Sequence, residues 1–139
     1  TDPHNVGSII RTTEVLGGDG IIIPKDNSSG ITPTVIKSSA GATAHIKIIT
    51  ITNVAALLHK AKELDFWIIG ASEKSDKSLQ ELSEYRPAIV IIGNEGTGMK
   101  KLTRDNCDIL VKIPQKGKVD SLNASVAAGI ILYEILKEQ

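Results

Sequence analysis

The chain has 139 residues, 41% hydrophobic and 23% charged, a balance that suits one globular domain over residues 1–139 and excludes a disordered or fibrous protein. Lys plus Arg and Asp plus Glu are equal at 16 each, so net charge gives no global pull toward nucleic acid or membrane. The single cysteine excludes an intrachain disulfide, no Cys or His spacing matches a metal site, and no apolar run approaches the roughly 20 residues of a membrane span. A cytoplasmic protein without a metal is the expectation.

In chain order, a helix is predicted over 6–16, with Asn5 as its cap and Gly17-Gly18 as its stop. The five residues before Val6 read as a loop leaving a strand, so a first strand is expected to be missing upstream. Short β-branched runs predict strands over 21–23, 46–51, 66–69, 88–92 and 110–113. Thr32-Pro33 reads as a cap followed by proline at the first helical position. Val54, Leu57, Leu58, Ala61 and Leu64 then share one face of a further helix. Residues 27–30 and 72–78 read as polar loops.

A run apolar along its whole length, such as 88–92, suits a strand covered on both faces. With β and α alternating, the fold class is α/β: a mostly parallel sheet with helices on both faces. The last segment, 121–137, is apolar or small almost all round. One sheet covers one side of such a helix, so a second subunit is the expected cover for the rest; a central helix in a monomer is the alternative.

Three segments carry chemistry. Between Ile92 and Met99 a buried strand runs into Gly93, Gly96 and Gly98, where a backbone can approach a ligand closely. The order G-x-x-G-x-G is neither the Rossmann fingerprint nor a P-loop. Glu95 lies inside that loop, and a buried acid there would need hydrogen-bond donors, whereas an exposed one is simply solvated. Asp120-Ser121-Leu122-Asn123 enters the last helix, with Ser121 placed to cap it and Asn123 placed in its first turn. The third segment sets an amide, Asn5, at a helix start and a guanidinium, Arg11, about one and a half turns later. A local excess of cations also stands out over 99–118, where Lys100, Lys101, Arg104, Lys112, Lys116 and Lys118 face only Asp105 and Asp108. That segment reads either as an RNA footprint or as a solvated face.

Taken together, in order and spacing, the three segments resemble the signature motifs of the SpoU (TrmH) family of RNA ribose 2'-O-methyltransferases, in the SPOUT superfamily. Asp2-Pro3-His4-Asn5-Val6-Gly7-Ser8-Ile9-Ile10-Arg11 is similar to the first motif and residues 91–98 to the second. Ile113-Pro114, continuing through Ser121-Leu122-Asn123-Ala124-Ser125-Val126-Ala127, is similar to the third. Ile23-Pro24-Lys25-Asp26, Ser39-Ala40-Gly41-Ala42, Leu102-Thr103-Arg104 and Cys107-Asp108 further resemble members that methylate a guanosine ribose of 23S ribosomal RNA; a transfer RNA substrate is the alternative. Gln115 and Asp120 depart from the family pattern around the third motif.

The resemblance implies a C-terminal trefoil knot, which no sequence pattern could reveal, a homodimer, S-adenosylmethionine as cofactor and no metal. It implies that Arg11 acts at the reacting hydroxyl, with Asn5, Glu95, Ser121 and Asn123 orienting it and the RNA backbone. It places the cofactor on Gly93, Ile113 and Leu122, with Ala71 and Gly98 nearby. Three rival readings are a base-methylating SPOUT enzyme, which should lack the Asn5, Arg11 and Ser121-Leu122-Asn123 set, a non-catalytic RNA-binding relative, which should lose Arg11 or Glu95, and a nucleotide-binding redox domain, which needs a different glycine order.

Overall fold

A computed structural model describes residues 3–25, 33–72, 75, 78–80, 82–93, 99–118 and 122–137. Its elements are α1 (Pro3–Leu16), β1 (Gly20–Pro24), α2 (Pro33–Ser38), β2 (Lys47–Ile51), α3 (Val54–Glu63), β3 (Trp67–Ala71), β4 (Ala88–Ile91), α4 (Lys101–Asp105), β5 (Ile109–Val111) and α5 (Ala124–Leu136). Single 3-10 turns occupy Ala42–Ala44 and Leu82–Glu84. The α/β class is as expected. All five predicted strands are present, with ends shifted by one or two residues. Every strand pairing is parallel, but the strands form two sheets, β1-β2 and β4-β3-β5, where a single sheet was expected. The chain divides into two compact units, 1–54 and 55–139.

In the first unit α1 packs on α2 and β1. The helix begins at Pro3, so Asn5 lies inside its first turn and is not the cap that the sequence indicated. Proline explains the earlier start: its fixed φ and missing N–H suit the first helical position, where that donor would have no partner. At the other end Gly17 takes φ 91° while Gly18 N–H donates to Thr13 O (2.8 Å) and Gly17 N–H to Glu14 O (3.1 Å). This pairing satisfies two carbonyls that the last turn would otherwise leave open, and the left-handed residue favours glycine.

Ile10, Val35 and Ala42 form the buried core of this unit, with Val6, Ile21, Ile46 and Ile48 packed on it. The approach of α1 to α2 is set by Gly7. A β-carbon at Gly7 would lie 1.9 Å from Ser38 Oγ, 2.8 Å from Ser38 Cβ and 2.9 Å from the Val35 carbonyl oxygen. Ser38 Oγ is itself tied into α2 by donating to Thr34 O at 2.8 Å. Pro33 opens α2 as expected, while Thr32, its expected cap, lies outside the described residues.

In the second unit Ile69, Leu82, Ile109, Val111, Ile131 and Ile135 form one buried cluster. Each large aliphatic side chain fully buried contributes about 1.5–3 kcal/mol. The period-2 alternation of β3 sends Ile69 and Ala71 to this cluster and Gly70 to the opposite face. There a β-carbon at Gly70 would meet Cys107 Sγ at 2.7 Å and Met99 Cε at 2.9 Å, so the bare glycine gives the two sulfur side chains their seat.

Asp108 sets the register between β3 and β5. Its carboxylate accepts from Ile68 N–H (2.8 Å) and its own N–H donates to Ile68 O (2.8 Å), one residue before the strands pair as Ile69 with Ile109. The edge-to-face contact of Trp67 and Tyr85, with ring centroids 5.1 Å apart, closes the start of β3.

The helix predicted over 121–137 spans Ala124–Leu136. Its Ala128, Ile131 and Ile135 are buried, whereas Val126 (49%) and Tyr133 (54%) are exposed. Among the described residues no helix is long and apolar enough to cross a membrane.

Gly7→Ala is expected to lower stability by about 1–3 kcal/mol, because the new methyl must displace helix α2. Adding Ser38→Ala should recover only part of the loss, since the Val35 carbonyl 2.9 Å away belongs to the backbone. Urea unfolding of the two variants checks both statements.

Candidate functional site

The strands of β4-β3-β5 are all parallel, so their carboxyl ends share one edge, the usual place for a ligand in an open α/β sheet. The register pairs Gly70 with Ile91 and Ala71 with Val111. Gly93 follows Ile91 by two residues and Ile113 follows Val111 by two. The three strands therefore bring Ala71, Gly93 and Ile113 to that edge. Ala71 and Ile113 are half-buried and lie against the core cluster, presenting apolar surface, while Gly93 offers backbone alone. The exit from β3 is tied to β5: Ser72 N–H donates to Val111 O (2.9 Å) and Ser75 Oγ to Leu110 O (2.5 Å).

The connection from β5 to α5 starts at the same edge and carries Leu122 and Asn123. Leu122 is 39% exposed. Asn123 is the α5 cap itself, where the sequence had placed it in the first turn. Its Oδ1 accepts from Ser125 N–H (2.8 Å), Val126 N–H (3.4 Å) and Ser125 Oγ (2.5 Å). Two backbone donors that the first turn cannot use internally are thereby satisfied. Ser121, the cap expected from sequence, lies outside the described residues, as do Glu95 and Gly98.

Asn5 and Arg11 belong to the first unit, on α1. At 100° per residue, Asn5, Ser8, Arg11 and Thr12 fall on one stripe of that helix, opposite Val6, Ile10 and Thr13. Asn5, Ser8 and Thr12 are half-buried and Arg11 is exposed. Thr13 is buried, its hydroxyl satisfied by donating to Ile9 O at 2.7 Å. The buried Ile10 next to Arg11 and the Gly7 contact with α2 fix the helix that carries the guanidinium.

Several contributors were not legible as such. Gly70, Met99 and Cys107 support the edge from below, and Asp108 sets its register. The one available signal was an acid directly before a strand, which suits a clamp across the start of a pairing. Burial pushes the Cys107 thiol above its ordinary pKa, and the Asp108 carboxylate adds to the shift. Cys107 Sγ lies 3.5 Å from Thr103 O, to which it donates. No group of three or more His, Cys, Asp or Glu side chains that could hold a metal occurs among the described residues.

Comparison with known proteins gives a consistent result. The family model of the SpoU rRNA Methylase family matches residues 1–133. YacO of Bacillus subtilis, a protein named for the TrmH family of tRNA/rRNA methyltransferases, is 44% identical over 138 residues, covering 99% of this chain and 55% of its own length. RlmB of Pseudomonas aeruginosa, a 23S rRNA (guanosine-2'-O-)-methyltransferase, is 41% identical over 139 residues, covering 100% of this chain and 56% of its own. The chain thus spans about half the length of the curated relatives it matches. The SpoU methyltransferase AviRb of Streptomyces viridochromogenes, solved in complex with AdoMet, superposes with a TM-score of 0.91 at 29% identity, over 99% of this chain and 56% of that one.

Asn123→Ala should cost about 1 kcal/mol of stability through loss of the cap, and Asn123→Asp or Asn123→Ser should keep most of it. Thermal unfolding of the three variants separates capping from any role of the amide in turnover.

Proposed function

We propose, because this chain belongs to the SpoU rRNA Methylase family, that it transfers a methyl group from S-adenosylmethionine to a ribose 2'-hydroxyl of RNA. The proposed substrate is a guanosine of 23S ribosomal RNA, in keeping with RlmB, with transfer RNA as the alternative that YacO's description leaves open. The observation that carries the reading is the gathering of Ala71, Gly93 and Ile113 at the carboxyl edge of three parallel strands, with the exposed Leu122 on the connection from that edge. Apolar side chains without charge, next to a bare backbone, suit a flat adenine read by main-chain groups. Gly98 would complete that set. A C-terminal trefoil knot around it and a cytoplasmic location are part of the same proposal.

When bound, S-adenosylmethionine supplies a methyl already activated by its sulfonium leaving group. The remaining work falls on the protein, because a ribose hydroxyl is a poor nucleophile at neutral pH and must be aligned while its proton is led away. Arg11 is assigned to the hydroxyl. A guanidinium stays protonated in proteins, so its easier task is to hold the adjoining phosphate with two parallel N–H donors and direct the proton toward it. Asn5 shares the Arg11 stripe of α1 and is assigned to orient it. Glu95, Ser121 and Asn123 are assigned to the RNA backbone, Asn123 through its cap-fixed position.

The homodimer expected from sequence would use the side of α5 that carries Val126 and Tyr133, both exposed, since Ile131 is enclosed in the unit's own core. Exposed apolar side chains along one helix favour a self-complementary contact between identical chains.

Full-length protein should bind S-adenosylhomocysteine and not NAD in calorimetry, and should methylate ribose in a 23S transcript, with a transfer RNA transcript as the second arm. Methyl transfer to a base, or none to either RNA by protein that binds the cofactor, overturns the reading. Arg11→Lys should lower single-turnover methylation by two to three powers of ten, roughly 3–4 kcal/mol, with cofactor affinity unchanged. A rate within about threefold of the parent removes Arg11 from the reacting centre. Tyr133→Asp should give a folded monomer in sedimentation, and a parent that is already monomeric at micromolar concentration refutes the dimer.

A further inference from the structure

Two connections of the second unit, those that follow β4 and β5, carry a local run of lysines. At the amino edge acids and cations alternate in sequence: Asp65 near Lys62 before β3, Glu84 near Arg86 before β4 and Asp108 near Arg104 before β5. At the carboxyl edge the described residues of the β4-to-α4 and β5-to-α5 connections carry Lys100, Lys112, Lys116 and Lys118, and the same connections hold Glu95 and Asp120 outside the described residues.

Three contacts place Lys100 and Lys112. Met99 sits against Gly70 on the face of β3 opposite the core cluster, so Lys100 emerges on that face. Gly70 is paired with Leu110, two residues before Lys112. Val111 and Ile113 both belong to the core side, so Lys112 between them is directed away from it, toward the side of Met99 and Lys100. Beyond it the chain stays exposed from Pro114 to Lys118, and a β-carbon at Gly117 would meet nothing within 4 Å. Lys101 differs from the others: it is paired with Asp105 at 2.7 Å, which draws the Asp105 carboxyl below its ordinary pKa through that hydrogen bond. Lys100, Lys112, Lys116 and Lys118 pair with no described acid.

We infer that this face, carried by Lys100, Lys112, Lys116 and Lys118, is a docking surface for the phosphate backbone of a single RNA strand. The inference rests on the methyltransferase reading and deepens it by saying where the RNA lies. The occupant is assigned by charge complementarity: residues 99–118 carry six cations against Asp105 and Asp108, four of the cations paired with no described acid, which matches a chain of regularly spaced anions, and no aromatic side chain lies among these residues to select bases by stacking. Affinity from such a surface is independent of sequence and falls with salt, so it would hold the strand while the site itself selects the nucleotide.

The test uses full-length protein, a short mixed-sequence RNA oligonucleotide and polyglutamate of matched charge. The Lys112→Ala/Lys116→Ala/Lys118→Ala variant should bind the RNA about 10- to 100-fold more weakly at low salt, and the slope of log K against log salt should fall by about 2, at about 0.7 per lysine on single strands. Cofactor affinity and unfolding midpoint should stay at parent values, and Lys60→Ala, on exposed α3, should leave the slope unchanged. An unaltered slope in the triple variant overturns the surface while leaving methyl transfer by the parent as it stands. Polyglutamate bound as tightly as RNA, with the same slope, replaces the RNA assignment by an acidic protein partner. Steep salt-dependent RNA binding by a parent that transfers no methyl upholds the surface and sinks the catalytic reading instead.

Discussion

The arrangement of the second unit depends on how β3 is held as the middle strand of three. Ile68, Ile69 and Gly70 are all fully enclosed, and each meets a different requirement. Ile69 joins the cluster that α5 covers, Gly70 leaves room for Met99 and Cys107, and Ile68 presents its backbone to Asp108. Parallel pairing on both sides then leaves no freedom in where β4 and β5 end. Residues that lie 20 or more positions apart in sequence reach one edge because the strands share direction and register.

Family membership and this geometry meet at different levels. The family match spans almost the whole chain, whereas the described residues supply particular reasons for its motifs. Gly7 is a contact residue between two helices, Asn123 is a cap, and Gly93 extends a strand end. None of the three needs a ligand to explain its presence. In the proposed function the chemistry falls to their neighbours: a guanidinium one turn beyond Gly7, and an exposed leucine directly ahead of the cap.

Much of this was legible in the sequence. Strands 21–23, 46–51, 66–69, 88–92 and 110–113 were visible because β-branched runs bounded by turn residues have few other uses. The start of α1 was misplaced because asparagine is a common cap, and Pro3 two residues earlier decided otherwise. The division into two sheets was hidden, since hydrophobic pattern reports that a strand is covered but not which strand lies beside it. The roles of Gly70 and Asp108 were hidden for a related reason: a glycine in a strand declares itself only when the atoms opposite are known, and Asp108 acts on Ile68, forty positions away. On α5 the composition showed that apolar residues run all round, but only the structure separates enclosed Ile131 from exposed Tyr133.

Cys107 offers a last, practical consequence. It is the chain's sole cysteine, it lies under Gly70 with its side chain turned inward, and burial keeps it as the thiol where an open cysteine would more readily ionise. Maleimide and iodoacetamide reagents attack the thiolate, so near neutral pH this position is expected to react more slowly than an open cysteine. A second cysteine introduced on the exposed side of α3, at Lys60, would therefore take up a fluorophore or spin label preferentially, with the native sulfur left in place. Distance spectroscopy on the natural background follows directly, without first stripping out a residue whose volume the β3 seat requires.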